Sequence, residues 1–281
     1  MADRCILIIG GSGFLGSVLA REATRQDYEV WATYLHNSPP EAEMVRQVHL
    51  DIRNESEIAS LLNWVNPQIV IHTAYSQNDR EVTFGGTAKL VSCCRRLQET
   101  PYFIFISTDL VFEGKKGNCT ENDLPVPVMN YGRDKLDAER LVAEELPGAL
   151  IARSSLFYDL ERVPTHLQFA VDAARSGREC VFFQDEYRSP VLVAELVDAL
   201  LKLAEIRCSG LLHMAGADRV SRWWFGLRLL RALGFPTRKV NAGSVKDIQS
   251  PRPADCSLDS SRAEKLLGMR FRGAKAVLGD M

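Results

Sequence analysis

The sequence predicts an α/β fold, a doubly wound parallel sheet with a smaller C-terminal α/β lobe. Three observations carry that expectation. Short apolar runs alternate with helical patterns through the first 155 residues, the first of these runs breaks into closely spaced glycines, and the alternation loosens after Leu156. Parallel neighbours need crossover connections, so such a rhythm demands helices on both faces of one sheet.

Taken in order, residues 6–9 (Ile-Leu-Ile-Ile) read as a strand buried on both faces, ending in Gly10-Gly11-Ser12-Gly13-Phe14-Leu15-Gly16. Leu15, Val18 and Leu19 then recur at helical spacing, which predicts a helix over 14–25. Glycines between a strand and a helix start make a phosphate site, because the helix amides carry partial positive charge and residues without Cβ let a pyrophosphate approach. The spacing Gly-x-x-Gly-x-x-Gly is a variant of the dinucleotide fingerprint. Further strands are predicted over 28–33, 46–50, 68–72, 102–107 and 149–155, with helices over roughly 54–64, 82–97 and 131–146. Asn54 or Ser56 supplies the cap of the first of these helices. Six strands complete a doubly wound sheet.

The first domain is therefore set at 1–155 and the lobe at 156–281. Within the lobe, the helix over 193–205 is a segment able to pack back on the first domain. Helices near 165–175 and 221–233, strands over 180–183 and 211–214, and a short helix over 262–267 fill the rest.

Composition narrows the function. A net charge of −2 gives no broad electrostatic reason to bind nucleic acid or an anionic membrane. The seven cysteines form no C-x-x-C pair and read as buried thiols in a reducing compartment. No apolar run approaches the roughly 18 residues of a membrane span, and the first strand leaves no room for a signal peptide, so a cytoplasmic protein is expected. His72, His166 and His213 lack metal-ligand spacing, and no metal site is expected.

Two stretches point to chemistry. Ser107-Thr108-Asp109 closes the fifth strand, and Tyr131-Gly132-Arg133-Asp134-Lys135 opens the next helix. Residues four apart share a helix face, so Tyr131 and Lys135 project together. The ammonium favours phenolate and lowers the tyrosine pKa from about 10 toward neutrality. A phenol so tuned protonates a carbonyl oxygen as hydride arrives at its carbon, and Thr108 can hold that oxygen.

With these residues the sequence resembles the extended short-chain dehydrogenase/reductases, which are Rossmann proteins, and within them the dTDP-4-dehydrorhamnose reductase branch. The resemblance spans essentially the whole chain. It rests on the glycine turn, Asp51-Ile52, residues 70–74 (Val-Ile-His-Thr-Ala), 107–112 (Ser-Thr-Asp-Leu-Val-Phe), the Tyr131–Lys135 motif and the tail 252–259 (Arg-Pro-Ala-Asp-Cys-Ser-Leu-Asp). It implies a catalytic triad of Thr108, Tyr131 and Lys135, with Lys135 also holding the ribose of the nicotinamide half. Gly10, Ser12, Gly13, Phe14, Leu15 and Gly16 would cradle the cofactor, Asp51 and Ile52 meet its adenine, and Thr73 and Ala74 line its middle. Arg188, Arg222 and Arg252 lie in segments that the family directs toward the substrate, and Arg252 resembles an arginine that grips a nucleotide-sugar diphosphate.

Two departures stand out. Thr83 replaces the asparagine of a helix motif that usually reads Asn-x-x-Gly-Thr, and Leu110 replaces a substrate-side tyrosine. Leu110 cannot be the base that a sugar-nucleotide 4,6-dehydratase needs. Residues 33–36 (Thr-Tyr-Leu-His) lack the carboxylate that binds an adenosine 2′-hydroxyl, which favours NADP(H) and leaves NAD(H) open. The expected activity is NAD(P)H-dependent reduction of a carbonyl, foremost in a 4-keto sugar nucleotide. An epimerase with tightly bound NAD and a non-catalytic subunit resembling the methionine adenosyltransferase β subunit are the alternatives, and a homodimer is compatible with all three.

Overall fold

The computed structural model describes residues 4–36 and 44–279. In chain order the elements are β1 (Cys5–Ile9), α1 (Phe14–Arg25), β2 (Glu29–Tyr34), β3 (Val45–His49), α2 (Glu55–Val65), β4 (Ile69–His72), α3 (Gly86–Arg95), β5 (Tyr102–Thr108), α4 (Asn130–Glu145) and β6 (Leu150–Ser154). They continue with β7 (Phe157–Tyr158), α5 (Gln168–Arg175), β8 (Cys180–Phe183), β9 (Tyr187–Arg188), β10 (Val191–Leu192), α6 (Val193–Glu205), β11 (Gly210–Met214), β12 (Val220–Ser221), α7 (Arg222–Ala232), β13 (Val240–Gly243), α8 (Ser261–Leu267) and α9 (Ala274–Leu278).

The central sheet is parallel and has seven strands in the order β11-β6-β5-β4-β1-β2-β3. Apolar residues dominate β1, β4, β5 and the start of β6 on both faces, and every residue of these strands is buried, the polar ones falling at their carboxyl ends. That is why they read as continuous hydrophobic runs rather than as alternating ones. β1 pairs with β2 on one side and β4 on the other, so the strand order reverses there. Ligands of open α/β sheets bind beyond the carboxyl ends of the strands at such a reversal.

The six-strand expectation needs a correction, because β11 joins the sheet beside β6. The segment 156–192 interrupts the alternation, which hides the fact that α6 and β11 form one more crossover unit. Leu196, Val197, Leu200, Leu201 and Leu203 bury one side of α6 and return the chain to the sheet. A second correction concerns the single helix over 82–97. Residues 81–85 make a π-helical turn before α3 begins at Gly86. There the Thr83 hydroxyl turns back to the Ser76 carbonyl at 2.6 Å, and Gly86 lies against Ile52, whose Cγ2 would stand 2.7 Å from a Cβ at that position. Of the two candidate caps for α2, Asn54 is used: its side chain accepts from the amides of Ser56 and Glu57.

The chain divides into two compact units. Unit 1 comprises 1–107, 133–152 and 197–211, and unit 2 comprises 108–132, 153–196 and 212–281. The core of unit 1 is built from Leu7, Ile9, Val70, Leu90, Phe103, Phe105 and Val142 with their neighbours. Unit 2 has its own core, centred on Tyr158, Leu167, Phe182, Phe225, Leu229 and Leu230. Its strands form three short pairs, β7 with β10, β9 with β12, and β8 with β13.

Candidate functional site

In unit 1 the glycine turn is packed too closely for side chains. Gly10 has φ +87°, and a Cβ there would stand 2.7 Å from the Ala74 amide nitrogen and 2.9 Å from Thr73 Oγ1. A Cβ on Gly16 would collide with the Gly10 carbonyl. Thr33 Oγ1 accepts from the Gly10 amide at 3.0 Å, and Thr73 Oγ1 donates to the Ile9 carbonyl at 2.9 Å. The turn is thus fastened to β2 and to the segment after β4. Gly13 caps α1 without a side-chain hydrogen bond, and the first turn of α1 carries no acid. The positive end of α1 therefore faces no side-chain acid of its own first turn, which suits the cradle to a pyrophosphate.

Asp51 is bound by Arg53, whose Nε lies 2.9 Å from Oδ1 and Nη2 2.7 Å from Oδ2. These hydrogen bonds hold the Asp51 carboxyl down at about 2. Ile52 beside it is buried. At the end of β2, Thr33 is occupied by Gly10, Tyr34 meets His49 edge-on and His36 is exposed.

Lys135 sits on α4, 2 % exposed, with Nζ donating to the Ile106 carbonyl at 2.7 Å. The Phe105 ring centroid is 4.5 Å away and that of Tyr75 5.7 Å. Burial pushes this lysine down to about 7, against a counter-pull from Glu139 one helical turn later. Behind it, His72 Nε2 is 2.9 Å from Thr87 Oγ1, whose hydroxyl donates to the Thr83 carbonyl. The imidazole is therefore the donor at Nε2. Its Nδ1 is buried without a partner among the described residues, and burial, helped by the Lys135 charge, lowers His72 to about 3. Thr83, at the asparagine position, spends its hydroxyl on the Ser76 backbone.

Tyr131 is half-buried in the first turn of α4, four residues before Lys135 on the same helix. A Cβ on Gly132 would collide with the Leu110 carbonyl, so the start of α4 needs a glycine there. Thr108 ends β5; its hydroxyl donates to Asp109 Oδ1 and accepts from the Leu110 amide, both at 3.2 Å.

In unit 2 the three arginines differ. Arg188 is buried, with Nε 2.6 Å from Asp109 Oδ2, Nη2 on Asp109 Oδ1, and Nη1 3.6 Å from Glu186. Burial alone would lower its pKa, but the Asp109 carboxylate raises it above the ordinary arginine value. Arg252 pairs with Glu186 at 3.0 Å. Arg222, in the first turn of α7, makes no ion pair or guanidinium hydrogen bond among the described residues. Burial lowers it to about 10; Glu186 opposes that fall, and Arg188 and Arg252 add to it. His166 Nε2 and Trp223 Nε1 are likewise buried without a hydrogen-bond partner among the described residues. Burial and the charges of Arg222 and Arg188 keep His166 neutral.

Sequence reasoning missed Glu139, Glu186 and the role of Asp109. The last two meet Arg188 or Arg252 across long sequence separations, which no local pattern reports. Glu139 was signalled only by its position four residues after Lys135. Among the described residues no cluster of three or more His, Cys, Asp or Glu side chains could hold a metal, and no helix is long and apolar enough to cross a membrane.

A seven-strand parallel sheet, a glycine cradle at its strand reversal and a Tyr-x-x-x-Lys helix define a dinucleotide-type α/β protein. Within that class the chain belongs to the dTDP-4-dehydrorhamnose reductase-like family described as the RmlD substrate binding domain, whose model matches residues 4–281. The "Probable low-salt glycan biosynthesis reductase Agl14" of Haloferax volcanii is 30 % identical over 278 residues, covering 93 % of this chain and 91 % of that protein. Methionine adenosyltransferase 2 subunit beta of Rattus norvegicus is 25 % identical, covering 95 % and 84 %. The fold matches the crystal structure of a dTDP-4-dehydrorhamnose reductase from Bacillus anthracis in complex with NADP. That match has a TM-score of 0.81 and 20 % identity, covering 98 % and 97 % of the two chains.

Proposed function

We propose that the protein is an NAD(P)H-dependent reductase of a carbonyl group, foremost in a 4-keto sugar nucleotide. The observation that carries this reading is Lys135, a buried amine with one backbone acceptor, four residues after Tyr131 on α4. A bound nicotinamide supplies the hydride. Tyr131 gives its phenolic proton to the carbonyl oxygen, the Lys135 ammonium stabilises the phenolate left behind, and the Thr108 hydroxyl swings from Asp109 to hold the oxygen. Gly10, Ser12, Gly13, Phe14, Leu15 and Gly16 hold the pyrophosphate, Asp51 and Ile52 the adenine side, and Thr73 and Ala74 the middle. In this reading the cofactor falls to unit 1 and the substrate to unit 2.

NADP(H) is the preferred form, supported by the missing carboxylate at 33–36, while solved neighbours of the same fold hold NADP or NAD. The Haloferax relative, described as a glycan biosynthesis reductase, supports the sugar assignment. For the substrate anion Arg222 is the strongest of the three arginines, since Arg188 and Arg252 already hold carboxylates. Loss of NADPH absorbance with a dTDP-4-keto sugar, set beside a non-nucleotide ketone, tests the reading. Faster turnover of the sugar nucleotide supports it, whereas preference for the simple ketone leaves carbonyl reduction and removes the sugar nucleotide.

A second reading, a regulatory subunit, is favoured by the Rattus norvegicus relative and by Thr83, whose hydroxyl is tied to Ser76. It predicts NADPH binding without turnover of any ketone.

A further inference from the structure

Glu139 is a buried carboxylate, 4 % exposed, in the middle of α4. Taking a carboxylate out of water is expensive unless its oxygens are hydrogen-bonded or answered by charge. Ser107 Oγ donates to Glu139 Oε1, from the last position of β5 before Thr108. Glu139 also lies four residues after Lys135, on the same face of α4.

The surroundings of Lys135 explain what such a carboxylate does. On β5 it meets the Ile106 carbonyl and the Phe105 ring, and after β4 the Tyr75 ring. His72 on β4 is neutral and adds no negative charge. Asp134 and Asp137, the acids nearest to it on α4, are both engaged by Arg80. Dipoles and ring faces alone leave a buried ammonium poorly compensated, and Glu139 is the carboxylate that acts on it. We infer that Glu139 is a positioning residue for Lys135: anchored by Ser107, its carboxylate keeps the Lys135 side chain in the ammonium form and directed at the Ile106 carbonyl.

The inference deepens the proposed reductase reading, which needs that ammonium, but its test does not depend on turnover. The full chain carrying lysine labelled with ¹³C at Cε is titrated by NMR without cofactor, and the Lys135 signal is identified by its loss in Lys135→Arg. In Glu139→Gln, which keeps the size of the side chain and a partner for Ser107, the Lys135 midpoint falls by about one pH unit or more. Glu139→Asp keeps the charge but withdraws it by one methylene, so its midpoint falls by less; it serves as well where Glu139→Gln folds poorly. A merely structural Glu139 lowers the melting temperature and leaves the midpoint in place. A midpoint within about 0.3 pH unit of wild type in both variants overturns the inference. NADPH affinity measured by fluorescence against pH adds a second readout: its alkaline weakening begins at lower pH in Glu139→Gln, by the same displacement. If the wild type reduces no carbonyl compound, the reductase reading fails while the NMR comparison still decides the role of Glu139.

Discussion

Two buried cations, Lys135 in unit 1 and Arg188 in unit 2, are treated in opposite ways. Arg188 lies against Asp109 in a two-pronged pair, with Ser155 donating to the same carboxylate and Glu186 nearby. Its positive charge is answered in full, and its proton is held more tightly than in water. Lys135 has a carbonyl, two ring faces and a carboxylate one helical turn away, and its proton is held more weakly than in water. A planar fork that matches a carboxylate suits a permanent joint, while a compact amine whose pKa moves with burial suits chemistry. The difference teaches where to look: a cation the fold has paired is architecture, and one it leaves underpaired is available to a ligand or a reaction.

The largest expected effect is on catalysis. Lys135→Met removes the underpaired charge and should lower kcat by about 100-fold or more, the scale of general acid catalysis, while leaving stability unchanged or raised. Ketone turnover and a thermal melt read both. Equal loss of stability and rate would erase the contrast with Arg188.

Next is Asp109→Ala, which strands a buried guanidinium. Breaking such a pair costs about 3–5 kcal/mol, so a clear fall in the urea midpoint is expected. A loss below about 1 kcal/mol would show that Arg188 is answered by other groups.

The pH dependence of stability separates the niches further. Lys135 is lowered to about 7 in the folded chain, while its unfolded value is near 10.5. Between these values the unfolded chain binds more protons, so this penalty is full below pH 7 and disappears as pH rises toward 10.5. The stability gained by Lys135→Met should therefore shrink across that range in denaturant titrations. His72 works at the acid end. Held down at about 3 when folded, it costs stability as pH falls below its ordinary 6.5.

The smallest effects concern the arginines proposed for the substrate. Arg222→Ala should raise KM for a sugar nucleotide by about 10-fold, the worth of a charge-assisted hydrogen bond. Arg252→Ala, whose guanidinium already sits on Glu186, should raise it less. The reverse order would return the diphosphate to Arg252, the position that the family resemblance favoured.

Local signals were legible and distant ones were not. The glycine turn, the buried strands and the Tyr131–Lys135 spacing each follow from residues close in the chain, and the cradle around Gly10 gives the turn a steric reason. The π-helical turn at 81–85 was hidden because a single wider turn leaves no break, such as a proline, in the helix-compatible run from Val82 to Leu97. The strand at 211–214 was legible, but its place beside β6 was hidden because its crossover follows a long segment belonging to unit 2. The Asp109–Arg188 pair joins residues 79 apart, and such a pairing leaves no periodic trace.

The underpaired Lys135 is proposed to serve proton transfer by Tyr131. The most direct measurement compares wild type with Tyr131→Phe, following NADPH consumption with a dTDP-4-keto sugar and NADPH affinity by fluorescence. In Tyr131→Phe kcat should fall by about 100-fold or more while cofactor affinity stays within about twofold, because only the phenolic proton is deleted. Retention of more than about a tenth of wild-type kcat would contradict this role.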